Sequence, residues 1–176
     1  MVTVRFYQDD DKSKWDSYVL NHPEGTFFHL IGWKRVVEKT FGHKSFYLVA
    51  EGSEKIQNFV PLPKKDGSTA APQNSVTATD SVNSCIHLNP QAKRSSNVIL
   101  GILPLFSVKS FLFCKSLASV PFATYGGILA DDENVAQQLL NQAKEITRSE
   151  RLEYLELRNR DGEMANLPTK DLYIGF

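Results

Sequence analysis

The sequence has no excess of charge. Twenty Lys and Arg balance twenty Asp and Glu over 176 residues. Such a chain exerts no long-range pull on nucleic acid or on an anionic membrane, and only a local basic patch is compatible with the balance. Cysteine is scarce: Cys85 and Cys114 are the only two. Neither belongs to a CxxC or a Cys/His spacing, which argues against a zinc site. Two distant thiols in an otherwise ordinary composition point to reduced cysteines and a cytosolic setting. Long apolar runs are also missing. The longest, Val98 to Val108, is far short of a membrane span and is interrupted by Pro104. The opening MVTVRFYQDDDK alternates like a strand and then turns acidic, with no apolar stretch of signal-peptide length. A cytoplasmic protein without a membrane span is the expectation. No period of about 20 to 50 residues recurs, so a solenoid is not indicated.

What is present is an ordinary globular composition. The hydrophobic fraction is 41%, and the length suits one domain with a sizeable core. Val2, Val4 and Phe6 alternate with Thr3, Arg5 and Tyr7, which predicts a half-buried strand. Asp9 to Asp11 offer an N-cap for a helix carrying Trp15, Tyr18 and Val19, which Pro23 stops. Leu30, Trp33, Val36, Val37 and Phe41 then recur at helical spacing, with Lys34, Arg35, Glu38 and Lys39 on the other side. Gly42 fits the C-terminal cap of that helix. Phe46 to Ala50 reads as a buried strand and Glu51-Gly52-Ser53 as a turn.

From Gln57 to Asn97 the periodicity stops. Four of the eight prolines (Pro61, Pro63, Pro72, Pro90) fall there among Ser, Thr, Asn and Ala. The segment reads as a disordered insertion. Order resumes with a strand over Val98 to Val108, bulged or broken at Pro104, then a strand over Leu112 to Val120 ended by Pro121. Tyr125-Gly126-Gly127-Ile128-Leu129 follows. Asp131 and Asp132 cap a helix with Val135, Leu139, Ala143 and Ile146 on one face. Leu152 to Leu157 is a further strand, Asp161-Gly162 a turn, and Asp171 to Phe176 a last strand. The expected fold is mixed α/β (α+β), a central mixed sheet flanked by helices, in one domain over 1–176 with the insertion at 57–97.

Three phrases carry a family resemblance: HPEGTFFHLIGWKRVVEKTFGHKSFYLVAEG, LGILPLFSVKSFLFCKSLASVPFATYGGILADDE and LEYLELRN. In that order and spacing the chain resembles the FemAB-like branch of the GNAT acyltransferase superfamily, in particular the members associated with PEP-CTERM and exosortase systems. The resemblance covers residues 1–56 and 97–176. It implies a GNAT-like sheet in which the strands at 44–50 and 98–108 are neighbours. In the family the strand beginning at Lys55-Ile56 runs almost directly into the GxLPLF strand, so Gln57 to Asn97 is an insertion in a hairpin. Such loops lengthen at little cost, about 0.6 kcal/mol per doubling. Family members have two GNAT-like halves, and the resemblance implies that this chain is the first alone, with a missing second half or a homodimer partner completing the cleft.

The activity implied is transfer of an acyl or aminoacyl group to an amine. The donor is acyl-CoA or aminoacyl-tRNA, and the acceptor a small molecule or envelope precursor connected with exopolysaccharide or cell-envelope assembly. The alternative is a catalytically inactive fragment or binding module. The Q/R-x-x-G-x-G/A loop by which acetyl-CoA enzymes bind pyrophosphate has no match here.

Trp33-Lys34-Arg35 is the leading site candidate, because cell-wall relatives place an acceptor-binding basic residue after the equivalent tryptophan. An ammonium or guanidinium beside an aromatic wall suits phosphate or carboxylate. The plainer reading makes Trp33 core and Lys34 and Arg35 a solvated face. Tyr125-Gly126-Gly127 either lines a cleft or forms a strand end or bulge. His29 and His43 flank the helix without a Ser, Cys or carboxylate spaced for a relay. Glu153 and Glu156 point to opposite strand faces, and Arg158 can pair with one of them. Cys114 reads as a small buried residue, and Cys85 with His87 as loop residues. No metal site is expected, and no catalytic residue is assigned.

Overall fold

The computed structural model describes residues 1–52, 97–109, 115–160 and 167–168. The expected insertion at 57–97 therefore lies outside the described residues, apart from Asn97, as do Cys85, His87, Cys114, Asp161-Gly162 and the strand at 171–176. The described elements are eight strands and three α-helices in one mixed α/β unit formed by Met1–Ser53 and Asn97–Phe176.

The strands β1 (Val2–Phe6), β3 (Leu48–Gly52), β4 (Val98–Leu103) and β7 (Leu129–Ala130) form an antiparallel sheet in the order β1-β3-β4-β7. A second sheet runs β2-β5-β6-β8, with β2 (Lys44–Ser45), β5 (Phe106–Val108), β6 (Ser116–Ala118) and β8 (Tyr154–Glu156). Within it β6 and β8 are parallel, Ser116 facing Tyr154 and Ala118 facing Glu156. The strands at 44–50 and 98–108 are neighbours, as expected, through β2–β5 and β3–β4. The single central sheet of the sequence reading is instead divided in two. Both long strands break at the same level, at Phe46-Tyr47 and at Pro104-Leu105. Proline has no N–H for the ladder, so Pro104 is where pairing has to lapse. One bond, Phe46 N–H to Leu105 O at 2.7 Å, bridges the gap.

The strand β3 is buried at all five residues, so its sequence shows no polar alternation. Leu48 and Ala50 point to one face, where Val135, Leu139, Ala143 and Ile146 of α3 (Glu133–Ser149) pack with Phe46, Leu103, Leu105 and Leu117. Val49 points to the other face. There Trp15 and Val19 of α1 (Lys12–Asn21), with Ile31 and Val37 of α2 (Ile31–Phe41), pack on Tyr47, Ile102 and Phe106. Val36 and Phe41, expected on the inward stripe of α2, are exposed. No described helix is long and apolar enough to cross a membrane.

Two local expectations change. Glu51-Gly52 is not a turn: it continues β3, paired with Thr3 and Val2 on one side and Ile99 and Val98 on the other. Buried Glu51 is accommodated by Arg5, whose Nη2 lies 2.5 Å from Glu51 Oε1. Nor does Asp11 cap α1 with its carboxylate. That group takes Arg5 Nη1 at 2.6 Å and the Gln8 N–H at 2.8 Å, closing a short 3-10 turn over Asp9–Asp11. The caps at Gly42 (φ 66°) and Asp132 form as expected, the latter accepting the Val135 N–H at 2.8 Å.

Candidate functional site

The helix that carries Trp33, Lys34 and Arg35 is held at its start by another element. Leu30 at its N-cap has no capping side chain. Asp16 of α1 accepts the Ile31 N–H at 2.9 Å instead, and so sets α1 against the first turn of α2. Ahead of it, Thr26 to His29 forms a tight turn, and His29 O accepts the Trp15 indole N–H at 2.7 Å.

The three consecutive candidates go different ways. Trp33 is half-buried against Phe28 and Phe27, with ring centroids 5.1 and 6.1 Å away. Lys34 leans over the ring of Tyr47, its Nζ 5.8 Å from the centroid, and is tied to Glu38 Oε1 at 2.7 Å. The same Glu38 oxygen accepts the Ser45 hydroxyl at 2.5 Å. Arg35 is exposed and acts on Tyr7. Successive residues on a helix point about 100° apart, so a contiguous triplet does not share one face. The aromatic surface beside the ammonium is therefore Tyr47, 13 residues downstream of Lys34 in the chain, and not Trp33.

Tyr7 and Tyr47 are adjacent where β1 ends, since the Tyr7 N–H donates to Tyr47 O at 2.8 Å and their rings stand 6.3 Å apart. Burial pushes the Tyr47 phenol well above its usual range, with the charge of Glu38 and then Tyr7 adding to it. Burial raises Tyr7 as well, helped by Asp9 and opposed by Arg35. Both hydroxyl oxygens are buried without a hydrogen-bond partner.

The second candidate group, Tyr125-Gly126-Gly127, docks on the turn that leads into α2. Thr26 Oγ1 donates to Tyr125 O at 3.2 Å, and His29 Nε2 donates to Gly127 O at 3.2 Å. The Gly126 N–H reaches Arg158 O at 2.9 Å, and the Ile128 N–H reaches Asn159 Oδ1 at 3.1 Å. A Cβ on Gly126 would lie 2.3 Å from Val120 Cγ2, and one on Gly127 only 1.8 Å from Asn159 Oδ1. The close approach that the glycines permit is thus made by the chain itself. The space left among Glu24, His29, Tyr125, Gly127 and Asn159 is about 10 Å³, which is at the lower limit for one water. The two candidate groups share the Thr26–His29 turn but face different neighbours.

His29 is buried, and burial draws its imidazole down to about 4. With Nε2–H given to Gly127 O, Nδ1 accepts the Thr26 N–H, 3.2 Å away. This neutral ring joins the turn to the glycine segment. His43 is elsewhere, stacked with Phe41 and Phe122 near the end of α2. Glu156 pairs with Arg158 at 2.8 Å, as the strand spacing allows, and Arg158 Nη1 also donates to Ala123 O at 2.7 Å. Glu153 turns to the Lys115 N–H. Among the described residues no three His, Cys, Asp or Glu side chains gather as a metal site. At the start of α3 the Asp132 carboxylate occupies a first-turn N–H, a position that would otherwise suit an external anion.

Sequence reasoning missed Tyr7, Tyr47 and Asn159. Each acquires its place from an element distant in the chain. The alternation of the first strand set Tyr7 with Thr3 and Arg5, opposite Val2, Val4 and Phe6, and so did not point it inward. No protein-family model, no curated protein and no solved structure matches the chain.

Proposed function

We propose that the chain is an acyl- or aminoacyltransferase unit of FemAB type, moving an acyl group from acyl-CoA or aminoacyl-tRNA to an amine on a cell-envelope or exopolysaccharide-related acceptor. One observation carries the reading. The strands at 44–50 and 98–108 are direct neighbours through β2–β5 and β3–β4, and the resemblance requires that adjacency. Lys34 and Arg35 bind the anionic part of the acceptor. Lys34 is held over Tyr47 by Glu38, which limits its rotamers before a ligand arrives.

Transfer of labelled acyl groups from acyl-CoA, and of labelled aminoacyl groups from charged tRNA, to a panel of amino sugars and peptide amines tests this. Turnover with one donor class is expected, reduced at least about tenfold in the Lys34→Ala/Arg35→Ala variant. Absence of turnover with both donors, or full activity of the double variant, overturns it.

The second reading, a binding module without transfer, draws on the Tyr125–Gly127 segment, where Val120 and Asn159 fill the room that a ligand would need. It calls for acceptor binding with no labelled product.

A further inference from the structure

Two non-glycine residues just after β6 sit in the left-handed region: Val120 at φ 45° and Phe122 at φ 67°. For a β-branched or bulky side chain that conformation is costly, and it persists only where the surroundings impose it. Here they do. Val120 is fully buried, Ser119 Oγ accepts the Arg158 N–H at 2.8 Å, and Arg158 Nη1 donates to Ala123 O at 2.7 Å. The outcome is a phenylalanine held at the surface: Phe122 is 56% exposed. It stacks on Phe41 in the last turn of α2, itself 49% exposed, with ring centroids 4.2 Å apart and planes 24° from parallel.

His43 lies 6.0 Å from Phe41 and 5.9 Å from Phe122, its plane 12° from each. A third ring continuing the stack would be twice as far from one phenylalanine as from the other. His43 therefore stands beside the pair and caps neither outer face. Its ring nitrogens make no hydrogen bond to a described residue. A neutral imidazole then offers one donor and one acceptor at the edge of a flat apolar surface. We propose that Phe41, Phe122 and His43 form a stacking site for the adenine ring of the acyl donor. The site takes its occupant from the transferase reading above and deepens it, because acyl-CoA and aminoacyl-tRNA share one chemical feature, a terminal adenosine. A purine is planar, as the two phenyl faces are, and carries donors and acceptors on its rim, as the His43 edge does.

Charge and placement agree with this occupant. Lys44, next to His43 in the chain, and Lys109 lean on one carboxylate, that of Glu150, at 2.7 and 4.0 Å, so this group of three keeps a positive excess that suits a nucleotide. Phe41 follows Lys34 by seven residues on α2. Seven residues are close to two full turns, which sets the stack on the flank of the helix that bears Lys34, about 10 Å further along the axis. The adenine end of the donor and the acceptor then share one flank of α2.

Calorimetric titration of the full chain tests the site with three probes. Adenosine 3′,5′-bisphosphate stands for the coenzyme A end, the trinucleotide CCA for the tRNA end, and uridine 3′,5′-bisphosphate is a smaller ring of equal charge. At least one adenine probe is expected to bind, and which one does tells the two donors apart. The uridine compound is expected to bind at least about fivefold more weakly. Phe122→Gly removes a ring and relieves the left-handed backbone, so it should melt close to the wild type yet weaken the adenine probe by about tenfold or more. Phe41→Leu keeps an apolar, helix-compatible side chain and should weaken it likewise, whereas Phe122→Trp keeps a plane and should retain affinity. No binding of either adenine probe at millimolar concentration, equal affinity for the uridine compound, or full affinity in Phe122→Gly and Phe41→Leu overturns the inference. So does a dimer in sedimentation that Phe122→Gly dissolves, since the rings would then face a second copy. Acyl transfer on the same samples separates the two levels. An unchanged donor KM in Phe122→Gly removes the stacking site and leaves the transferase, whereas ring-dependent adenine binding without turnover keeps the site and removes the transferase.

Discussion

At the scale of single residues, burial decides chemistry that residue type leaves open. His29 and His43 flank the same helix, yet one is sealed between Thr26 and Gly127 and the other stacks on exposed phenylalanines. The sealed one has consequences for stability. Burial lowers the His29 value from 6.5 to about 4. The unfolded chain therefore binds the proton more readily than the native chain. Stability is full above the unfolded value and is lost as pH falls from about 6.5 toward 4, by on the order of 2–3 kcal/mol. Asp11 is shifted down as well, chiefly by its bonds to Arg5. Its contribution is lost only around and below the usual carboxylate value of 3.8, a separate window. Denaturant midpoints measured from pH 7.5 to 4.5 should fall in the wild type and stay nearly flat in His29→Gln. Parallel curves would show that another group carries the loss.

At the scale of elements, the helices are set by their ends as much as by their stripes. Among the described α-helices Asp132 is the one N-cap whose side chain makes the bond that its residue type predicts, and it serves the longest of them. Asp132→Ala should lower stability by about 1 kcal/mol without altering acceptor affinity, read from denaturant unfolding beside a binding titration. A change below about 0.3 kcal/mol would mean that α3 is held by packing alone. The α2 helix differs. Its start depends on Asp16 from α1, a residue that no pattern within α2 indicates. Its outer rim, where Val36 and Phe41 were expected inside, is exposed because Ile31 and Val37 already fill the sheet contact.

At the scale of the whole unit, the sheet is covered on both faces around β3. That strand is buried throughout and paired on both sides, with β1 and β4. Amides of β3 should be the slowest to exchange with solvent, and those of the two-residue strands β2 and β7 much faster. Hydrogen-exchange mass spectrometry resolves this. Exchange in β3 as fast as in β7 would show that the two faces do not fold as one cooperative core.

The sequence alone determined the elements and their kinds, because period, proline and cap residues act within a few positions. Gly42 closes α2, Asp132 opens α3 and Pro104 breaks the long strand for reasons local to each. The strands at 44–50 and 98–108 were legible in the same way, and the structure pairs them through β2–β5 and β3–β4. The tertiary structure decided which side chains meet. Glu51 became strand rather than turn because Arg5, on the neighbouring strand, neutralises it. The partner of Lys34 became Tyr47 and not Trp33, because helix geometry sends adjacent residues apart and strand pairing brings Tyr7 and Tyr47 together. The glycine pair was filled by Val120 and Asn159 for the same reason. Contacts between residues far apart in the chain depend on register and packing of whole elements, and no local pattern encodes them.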